Sequence, residues 1–312
     1  MYLMKYKLLF ISIIAFIFSW SPYLIARNSR TNLILILGGG LLYLSVIALS
    51  EFVTRKWGDF SLLKGIMRRK KSILIYVGIA TLGGIILDGT AQWLNRLWYY
   101  PYWTNPFYVF IFIAGFSAYF LCIIERYLMT KVVIDKLRKG RHYKTKPYKR
   151  EGRFFGGLLV LAFITFAIGL TGSLIPHFVN QGEYNFNITY PTQHVSMFIF
   201  PLLIFAGVWF FSEYMSFIKK RSSLLQGIIH KNFNSLFAVL LASLLLLIIM
   251  EIQNASLGLW VYANWPLSHI RLFTIPLIAV LAWPLHYIAI LSVYRALNKR
   301  QTEEIFRGDV IE

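Results

Sequence analysis

The sequence predicts an all-α integral membrane protein, and three observations lead to that prediction. Of the 312 residues, 57% are hydrophobic and only 14% are charged, whereas about a quarter of the residues in a soluble domain carry charge. Several apolar runs reach the ~20 residues that a helix needs to cross a bilayer. The run "LFAVLLASLLLLIIM" at 236–250 is continuously apolar, so it lacks the alternation that is typical of strands in a membrane barrel.

The apolar runs predict about eight transmembrane helices, because a helix satisfies its own backbone polar groups within hydrocarbon. Their approximate ranges are 7–26, 31–53, 72–90, 104–128, 154–176, 195–217, 233–251 and 269–293. The first run follows "MYLMKYK", and no clear A-x-A cleavage site comes after it. We therefore expect it to be retained as a span rather than removed as a signal peptide.

The distribution of positive charge predicts the orientation of these helices. The net charge of +19 would by itself also suggest binding to nucleic acid. With eight spans, however, one side of the membrane receives 1–7, 54–71, 126–153, 218–232 and 294–312, which hold 28 of the 32 Lys and Arg residues. This bias is typical of cytoplasmic loops. It predicts a cell-membrane protein with both termini in the cytoplasm, anionic lipids as partners of the basic loops, and no nucleic-acid partner.

The chain contains an internal repeat. "SEFVTRKWGDFSLLKGI" at 50–66 and "SEYMSFIKKRSSLLQGI" at 212–228 match at an offset of 162 residues, and the same offset aligns "LWYYPYW" at 97–103 with "LWVYANW" at 259–265. Between 50 and 103 this offset gives 16 identities in 54 positions. Shared apolar composition does not place S-E, S-L-L-x-G-I and L-W-x-Y-x-x-W in one register. The pattern therefore indicates a tandem duplication.

The repeat predicts the domain organisation. Each unit contains four spans, and an even number returns the chain to the same side, so the two units have parallel orientation about an axis along the membrane normal. We expect a first four-helix repeat at 1–130, a basic cytoplasmic linker at 131–153, a second four-helix repeat at 154–297 and a cytoplasmic tail at 298–312. Whether the protein forms an oligomer or joins a larger complex stays open.

Polar residues precede the aromatic motif at the outer end of the third span in each unit. Carboxylates near membrane depth usually face a bundle interior or a wet cavity, and side chains three or four residues apart share a helix face. The sequence thus predicts an outward-facing, aromatic-lined cavity between the halves. The alternative is the ordinary aromatic belt at the membrane interface. The predicted ligand-binding residues are Asp88, Gln92, Trp98, Tyr100, Trp103, Glu251, Asn254, Trp260, Tyr262 and Trp265.

Other polar residues are expected to have structural roles. Glu51 and Glu213 recur among Lys and Arg residues, so surface ion pairs are expected there. His286 in "WPLHYIAI" is expected to be a hydrogen-bonded packing residue. Cys122 is the single cysteine, which excludes an intrachain disulfide or a thiolate cluster. Because no nucleotide, phosphate or metal signature appears, no cofactor and no metal are expected.

The last sixth of the chain carries Glu251-x-x-Asn254, Trp260-x-Tyr262, Phe273-x-x-Pro276-Leu277 and Trp283-Pro284. It resembles a recurrent type of bacterial multi-pass membrane protein with E-x-x-N, W-x-Y and F-x-x-P-L blocks, a resemblance that implies no particular activity.

A second resemblance is to the membrane lycopene cyclase domain, also a tandem repeat of helices, through an acid, then W-x-Y/F, then Pro. Asp88, Trp98, Tyr100 and Pro106 match this order. The family's paired glutamates after the proline are replaced by Phe107 and Tyr108. The resemblance therefore implies a fold suited to isoprenoid-type ligands more than it implies cyclisation, which needs an acid.

Three functions follow as hypotheses. The first is a protein that binds or moves a hydrophobic, lipid-like ligand in the cavity. The second is a membrane enzyme acting on an isoprenoid or lipid, with Asp88 and Glu251 as acid or base, so the sequence leaves open whether the protein is an enzyme. The third is a structural subunit of a membrane complex.

Overall fold

The described part of the chain is folded almost entirely into helices. The computed structural model describes residues 6–21, 24, 32–102, 109–138, 151–179, 197–297 and 305–306. Its helices are α1 (Lys7–Phe18), α2 (Asn32–Trp57), α3 (Leu62–Met67), α4 (Lys70–Asp88), α5 (Phe116–Leu137), α6 (Glu151–Val179), α7 (Ile199–Ile218), α8 (Leu224–Ile229), α9 (Asn234–Leu257) and α10 (Leu277–Leu297). A π-helical segment, Gly89–Leu94, continues α4, and another, Ile111–Gly115, leads into α5.

Six of these helices are long and apolar enough to cross a membrane, which makes the described chain a multi-pass membrane protein by length and composition. They comprise α4 with its π-helical segment, α7, α10 and the larger parts of α2, α6 and α9, namely Leu37–Trp57, Glu151–Ile175 and Asn234–Ala255. Of the two other predicted spans, α1 has only 12 residues. Helix α5 is long enough, but any 18 consecutive residues within it include three charged residues, Glu125, Arg126 and Lys131, which makes it less apolar than the six. The total of eight therefore stays a prediction.

The last membrane helix starts later than its predicted range of 269–293. Residues Arg271–Leu272 (β3) and Ile275–Pro276 (β4) form a small antiparallel pair, and α10 begins at Leu277. Pro276 lacks an amide hydrogen and cannot donate within a helix, so it is suited to the residue before the first turn. The amide of Leu277 donates to the carbonyl of Ile270 at 2.9 Å, which closes this connection.

Two short helices connect the long ones at positions that are 162 residues apart. Ser61 precedes α3 and accepts a hydrogen bond from the amide of Lys64 at 3.1 Å. Ser223 precedes α8 and accepts from the amide of Gln226 at 3.4 Å. Serine is a preferred N-cap because its hydroxyl satisfies one of the free amides of the first turn. The two S-L-L-x-G-I segments therefore have the same local structure for the same reason.

Glu51 and Glu213 are buried, so the expectation of surface ion pairs is wrong for Glu213 and is met only in part by Glu51, whose ion-pair partner Arg55 is half exposed. Both side chains have an exposed fraction of 0%. Glu51 accepts a hydrogen bond from Arg55, one helical turn further on. Glu213 instead accepts from Trp209 Nε1 at 3.0 Å and from Ser292 Oγ at 3.1 Å. The surrounding loops are basic, but these positions of α2 and α7 face inward, where hydrogen bonds offset the cost of burial.

The two W-x-Y segments pair directly with each other. Trp98–Tyr99 (β1) and Val261–Tyr262 (β2) are antiparallel, with Trp98 opposite Tyr262 and Tyr99 opposite Val261. The carbonyl of Leu97 accepts hydrogen bonds from the amide of Ala263 at 2.9 Å and from Trp265 Nε1 at 2.8 Å. The pair thus joins the segment after α4 to the segment after α9 at one end of the bundle.

Helix α5 lies at the centre of the main core, which explains why it is less apolar than its neighbours. Its side chains Phe120, Ile123 and Tyr127 are at most 1% exposed and belong to one cluster with residues of α9 and α10. Charged residues are also buried in α5, since Glu125 is 0% and Arg126 is 6% exposed. A helix surrounded by protein does not need the apolar outer surface that lipid requires.

Candidate functional site

An aromatic cavity of about 370 Å³ lies next to the β1–β2 pair. Its volume falls within the range of about 300–1,000 Å³ that is usual for small-molecule sites. None of its lining residues is Lys or Arg. The aromatic lining residues are Tyr43, Trp98, Tyr100, Phe110, Phe116, Tyr119, Phe205, Trp260, Tyr262, Trp265 and Trp283.

Many lining residues come in pairs that are 162 positions apart, the offset at which the sequence repeats. These pairs are Gly39 and Pro201, Gly40 and Leu202, Tyr43 and Phe205, Asp88 and Met250, Ala91 and Gln253, Leu97 and Leu259, Trp98 and Trp260, and Tyr100 and Tyr262. Corresponding positions of the two halves therefore face the same space. The cavity is lined by residues of 39–119 together with residues of 201–286.

The paired positions differ in polarity although they share the cavity. Asp88 in the first half corresponds to Met250 in the second, and Gln253 in the second half corresponds to Ala91 in the first. Each half thus contributes one strongly polar side chain at a position where the other half is apolar. The wall is similar on both sides, while the polar groups available to a ligand are specific to each side.

Asp88 is held by an aromatic hydrogen-bond chain. The carboxylate is 1% exposed, and Tyr100 Oη donates to its Oδ2 at 3.1 Å. Trp98 Nε1 donates in turn to Tyr100 Oη at 3.1 Å. Burial, and next the charge of Asp88, raise the pKa of the Tyr100 phenol well above its usual value, so Tyr100 remains a neutral donor at physiological pH.

Glu251 and Asn254 support the wall from behind, and neither is among the cavity-lining residues. Glu251 accepts hydrogen bonds from Tyr262 Oη at 2.7 Å, Trp260 Nε1 at 3.2 Å and Thr274 Oγ1 at 2.6 Å. Asn254 Oδ1 accepts from the amide of Trp260 at 2.9 Å, and its Nδ2 donates to Thr274 at 3.0 Å. Burial, and next the Glu251 charge, raise the pKa of the Tyr262 phenol.

The sequence-predicted site residues therefore differ in whether they line the cavity. Gln92 is 0% exposed, is absent from the cavity lining and has neither amide atom hydrogen-bonded. Trp103 lies outside the described residues. The predicted residues that line the cavity are Asp88, Trp98, Tyr100, Trp260, Tyr262 and Trp265.

Several lining residues were absent from the sequence prediction. Gln253 is 2% exposed, and its Nε2 has no hydrogen-bond partner. His286 Nε2 lies 2.8 Å from Tyr119 Oη, within hydrogen-bond distance. His286 was expected only as a hydrogen-bonded packing residue; its contact with Tyr119 agrees with that expectation, but the residue also lines the cavity. Gly39 and Pro201, which are 162 residues apart, line the cavity too, but they differ in residue type, so the offset alone does not single them out.

Two apolar residues of the cavity lining are exposed: Gly40 of α2, and Phe110, which precedes the π-helical segment before α5 and has half of its surface accessible. A Cβ atom added at Gly39 or Gly40 would meet nothing within 4 Å. The paired positions Pro201 and Leu202 carry side chains, so the two glycines leave room on the first-half side.

The cavity offers aromatic surface and a few hydrogen-bonding groups to a bound molecule. Among the described residues, no three His, Cys, Asp or Glu side chains are grouped so that they could hold a metal ion. Chemistry in the cavity is thus available from Asp88, Gln253 and the His286–Tyr119 pair. No protein-family model, curated protein or solved structure matches the chain.

Proposed function

We propose that this multi-pass membrane protein binds a hydrophobic, lipid-like small molecule in the aromatic cavity and either stores it or moves it across part of the bilayer. The observation that carries the proposal is the aromatic cavity of about 370 Å³ lined by corresponding residues of both halves. Aromatic faces suit an extended apolar molecule, since each ring buries a large apolar area.

The proposal includes a tandem duplication with eight membrane-crossing segments in two parallel four-helix units. It is supported by the equal N-caps of α3 and α8 and by the antiparallel pairing of the two W-x-Y segments. The cytoplasmic position of the termini, in turn, is supported by the concentration of Lys and Arg in five stretches. The cavity then faces the outer half of the membrane.

We propose that the ligand enters from the bilayer. Gly40 and Phe110 line the cavity and are exposed, so in this arrangement they would form an apolar opening toward lipid. A molecule that partitions into lipid reaches such an opening without passing through water. The two glycines keep the passage wide because neither carries a side chain.

The test is to isolate the protein together with its surrounding lipid in copolymer nanodiscs and to identify extracted small molecules by mass spectrometry. Gly39→Leu places a side chain in the cavity, and little strain is expected because a Cβ there meets nothing within 4 Å. The matched control is Gly78→Leu, which is equally open but lies on an exposed face of α4 outside the cavity. Both substitutions also remove a helix-destabilising glycine.

We expect one hydrophobic molecule to be enriched over bulk membrane lipids with the wild type and with Gly78→Leu, and to be lost with Gly39→Leu. If all three preparations carry the same unselected lipid, the binding function is wrong. Enrichment of a partner protein instead of a small molecule would favour the structural-subunit hypothesis.

A membrane enzyme is the second candidate, because proton-exchanging groups lie in the same cavity. His286 is within hydrogen-bond distance of Tyr119, and Asp88 lines the same space. Histidine and carboxylates are the usual general acids and bases. If the protein is an enzyme, His286→Asn should abolish conversion of the enriched molecule while leaving its binding intact. Conversion at the wild-type rate would exclude this role of His286.

A further inference from the structure

We infer that the ligand carries a hydroxyl group as its polar end, and that Gln253 and Asp88 recognise it. This inference rests on the proposed binding function and specifies the class of ligand. It starts from Gln253, whose side chain lines the cavity, is 2% exposed and has an Nε2 group with no hydrogen-bond partner. A buried donor that is left unpaired is costly. An acceptor atom on a ligand removes that cost.

The second requirement comes from Asp88, which lines the same cavity and is 1% exposed. An ionised carboxylate only accepts hydrogen bonds, so a ligand group facing it must donate. Gln253 Nε2 only donates, so a ligand group facing it must accept. A hydroxyl does both with a single oxygen, because it has one O–H and two lone pairs.

Anionic, quaternary ammonium and pure hydrocarbon end groups satisfy at most one of these side chains. A carboxylate or phosphate would accept from Gln253 but would be repelled by Asp88, and no lining residue is Lys or Arg. A quaternary ammonium is attracted by Asp88 and by the aromatic faces, but it has no lone pair for Gln253. A pure hydrocarbon leaves the Gln253 donor unpaired. The aromatic walls then accommodate the apolar part of the alcohol.

The experiment measures dissociation constants by native mass spectrometry of the full chain in maltoside detergent. The probes share one chain and differ at the end group: dodecanol, its methyl ether, dodecanoate and dodecyltrimethylammonium. The variant is Gln253→Met, which keeps the length of the side chain and removes the amide. The matched control is Gln226→Met, because Gln226 bonds to Glu151 and lies outside the cavity.

We expect dodecanol to bind the wild type and Gln226→Met about tenfold more tightly than the methyl ether, which cannot donate to Asp88, a difference typical of one hydrogen bond. Gln253→Met should weaken the binding of dodecanol about tenfold and leave that of dodecyltrimethylammonium nearly unchanged, since only the alcohol accepts from the amide. Dodecanoate should bind most weakly throughout.

The outcomes separate this inference from the proposed function. If the probes bind but dodecanol has no preference over the ether, or if Gln253→Met weakens dodecanol and the ammonium equally, the hydroxyl inference is wrong and ligand binding stands. If no probe binds the wild type and no molecule is enriched in nanodiscs, the proposed function fails together with the inference.

Discussion

Tyr99 and Val261 lie opposite each other in the β1–β2 pair, and they are also 162 residues apart in the sequence. A residue that pairs with its own counterpart is what a two-fold relation between two antiparallel segments requires. Trp98 opposite Tyr262 fits the same relation, because their counterparts are Trp260 and Tyr100. The two repeated segments therefore meet at this pair of strands, next to the cavity.

The first prediction uses this pairing as a crosslink. In a background in which Cys122 is replaced by Ser, Tyr99→Cys with Val261→Cys should form a disulfide on mild oxidation. Directly opposite residues have Cα atoms about 4.5–5.5 Å apart, within the range that a disulfide spans. After proteolysis in the linker 131–153, a non-reducing gel should show the two halves still joined.

The control for the crosslink pairs Tyr99→Cys with Leu241→Cys, on an exposed face of α9. This pair should separate into two fragments under the same conditions. Efficient crosslinking of Tyr99 to Leu241, or none to Val261, would contradict the observed register and with it the two-fold relation.

The second prediction concerns the equivalent N-caps. Ser61→Ala and Ser223→Ala should each lower the free energy of unfolding by at least about 1 kcal/mol, the usual cost of removing a serine cap, because each hydroxyl also bonds to a buried glutamate, Glu51 or Glu213. Thr165→Ala is the control, because its hydroxyl bonds only to carbonyls of its own helix. Thermal unfolding in detergent, followed by circular dichroism, measures all three. A cost at Ser223 with none at Ser61 would mean that the two connectors differ in energy despite their equal geometry.

The membrane architecture was largely predictable because its signals are chemical and extended over many residues. Apolar runs of sufficient length identify helices such as α6 and α9, and an offset of 162 aligns segments whose local structures agree. The span predicted at 104–128 overlaps α5 only in part, because α5 runs on to Leu137 and burial in protein permits Glu125 and Arg126 within it. Burial by other helices is a tertiary effect that a sequence window does not contain.

Site residues were predictable from the sequence only where polar or aromatic residues interrupt the apolar segments. The W-x-Y segments can be recognised because they differ from the aliphatic runs around them, and Trp98 and Trp260 do line the cavity. The sequence grouped Glu251 with Asp88 because both are acids at similar positions. Their roles differ because Thr274 from the β3–β4 turn reaches Glu251, a contact across 23 residues that spacing does not reveal.

The third prediction tests the structural role of Glu251. Glu251→Gln keeps the shape but leaves a single acceptor oxygen and adds an amide group that faces the donors Tyr262, Trp260 and Thr274. We expect the free energy of unfolding to fall by about 1–3 kcal/mol, the cost of leaving buried donors unsatisfied. The control Asp59→Asn changes an exposed carboxylate and should have little effect. Unchanged stability together with a lost ligand would contradict the structural role and mean that Glu251 serves ligand binding instead.

The fourth prediction concerns a contact at the other end of α5. Ile305 and Phe306 are both 0% exposed, and the amide of Phe306 donates to Tyr127 Oη at 3.2 Å. The two rings lie edge to face with centroids 5.7 Å apart, and Tyr127 Oη donates to Ser235 Oγ on α9 at 3.1 Å. This part of the tail therefore packs against α5 and links it to α9.

Phe306→Ala should lower the free energy of unfolding by about 3 kcal/mol, because truncating a buried phenylalanine removes apolar contacts and leaves a cavity. Leu297→Ala is the control, since Leu297 is 56% exposed and should change stability by less than about 0.5 kcal/mol. Ligand affinity is the second measurement. Tyr127 is eight residues from the cavity residue Tyr119, or about 12 Å along the helix, so Phe306→Ala should leave the dissociation constant for dodecanol within about twofold of wild type. A tenfold change in that constant at unchanged stability would instead mean that the tail contact and the cavity are coupled through α5.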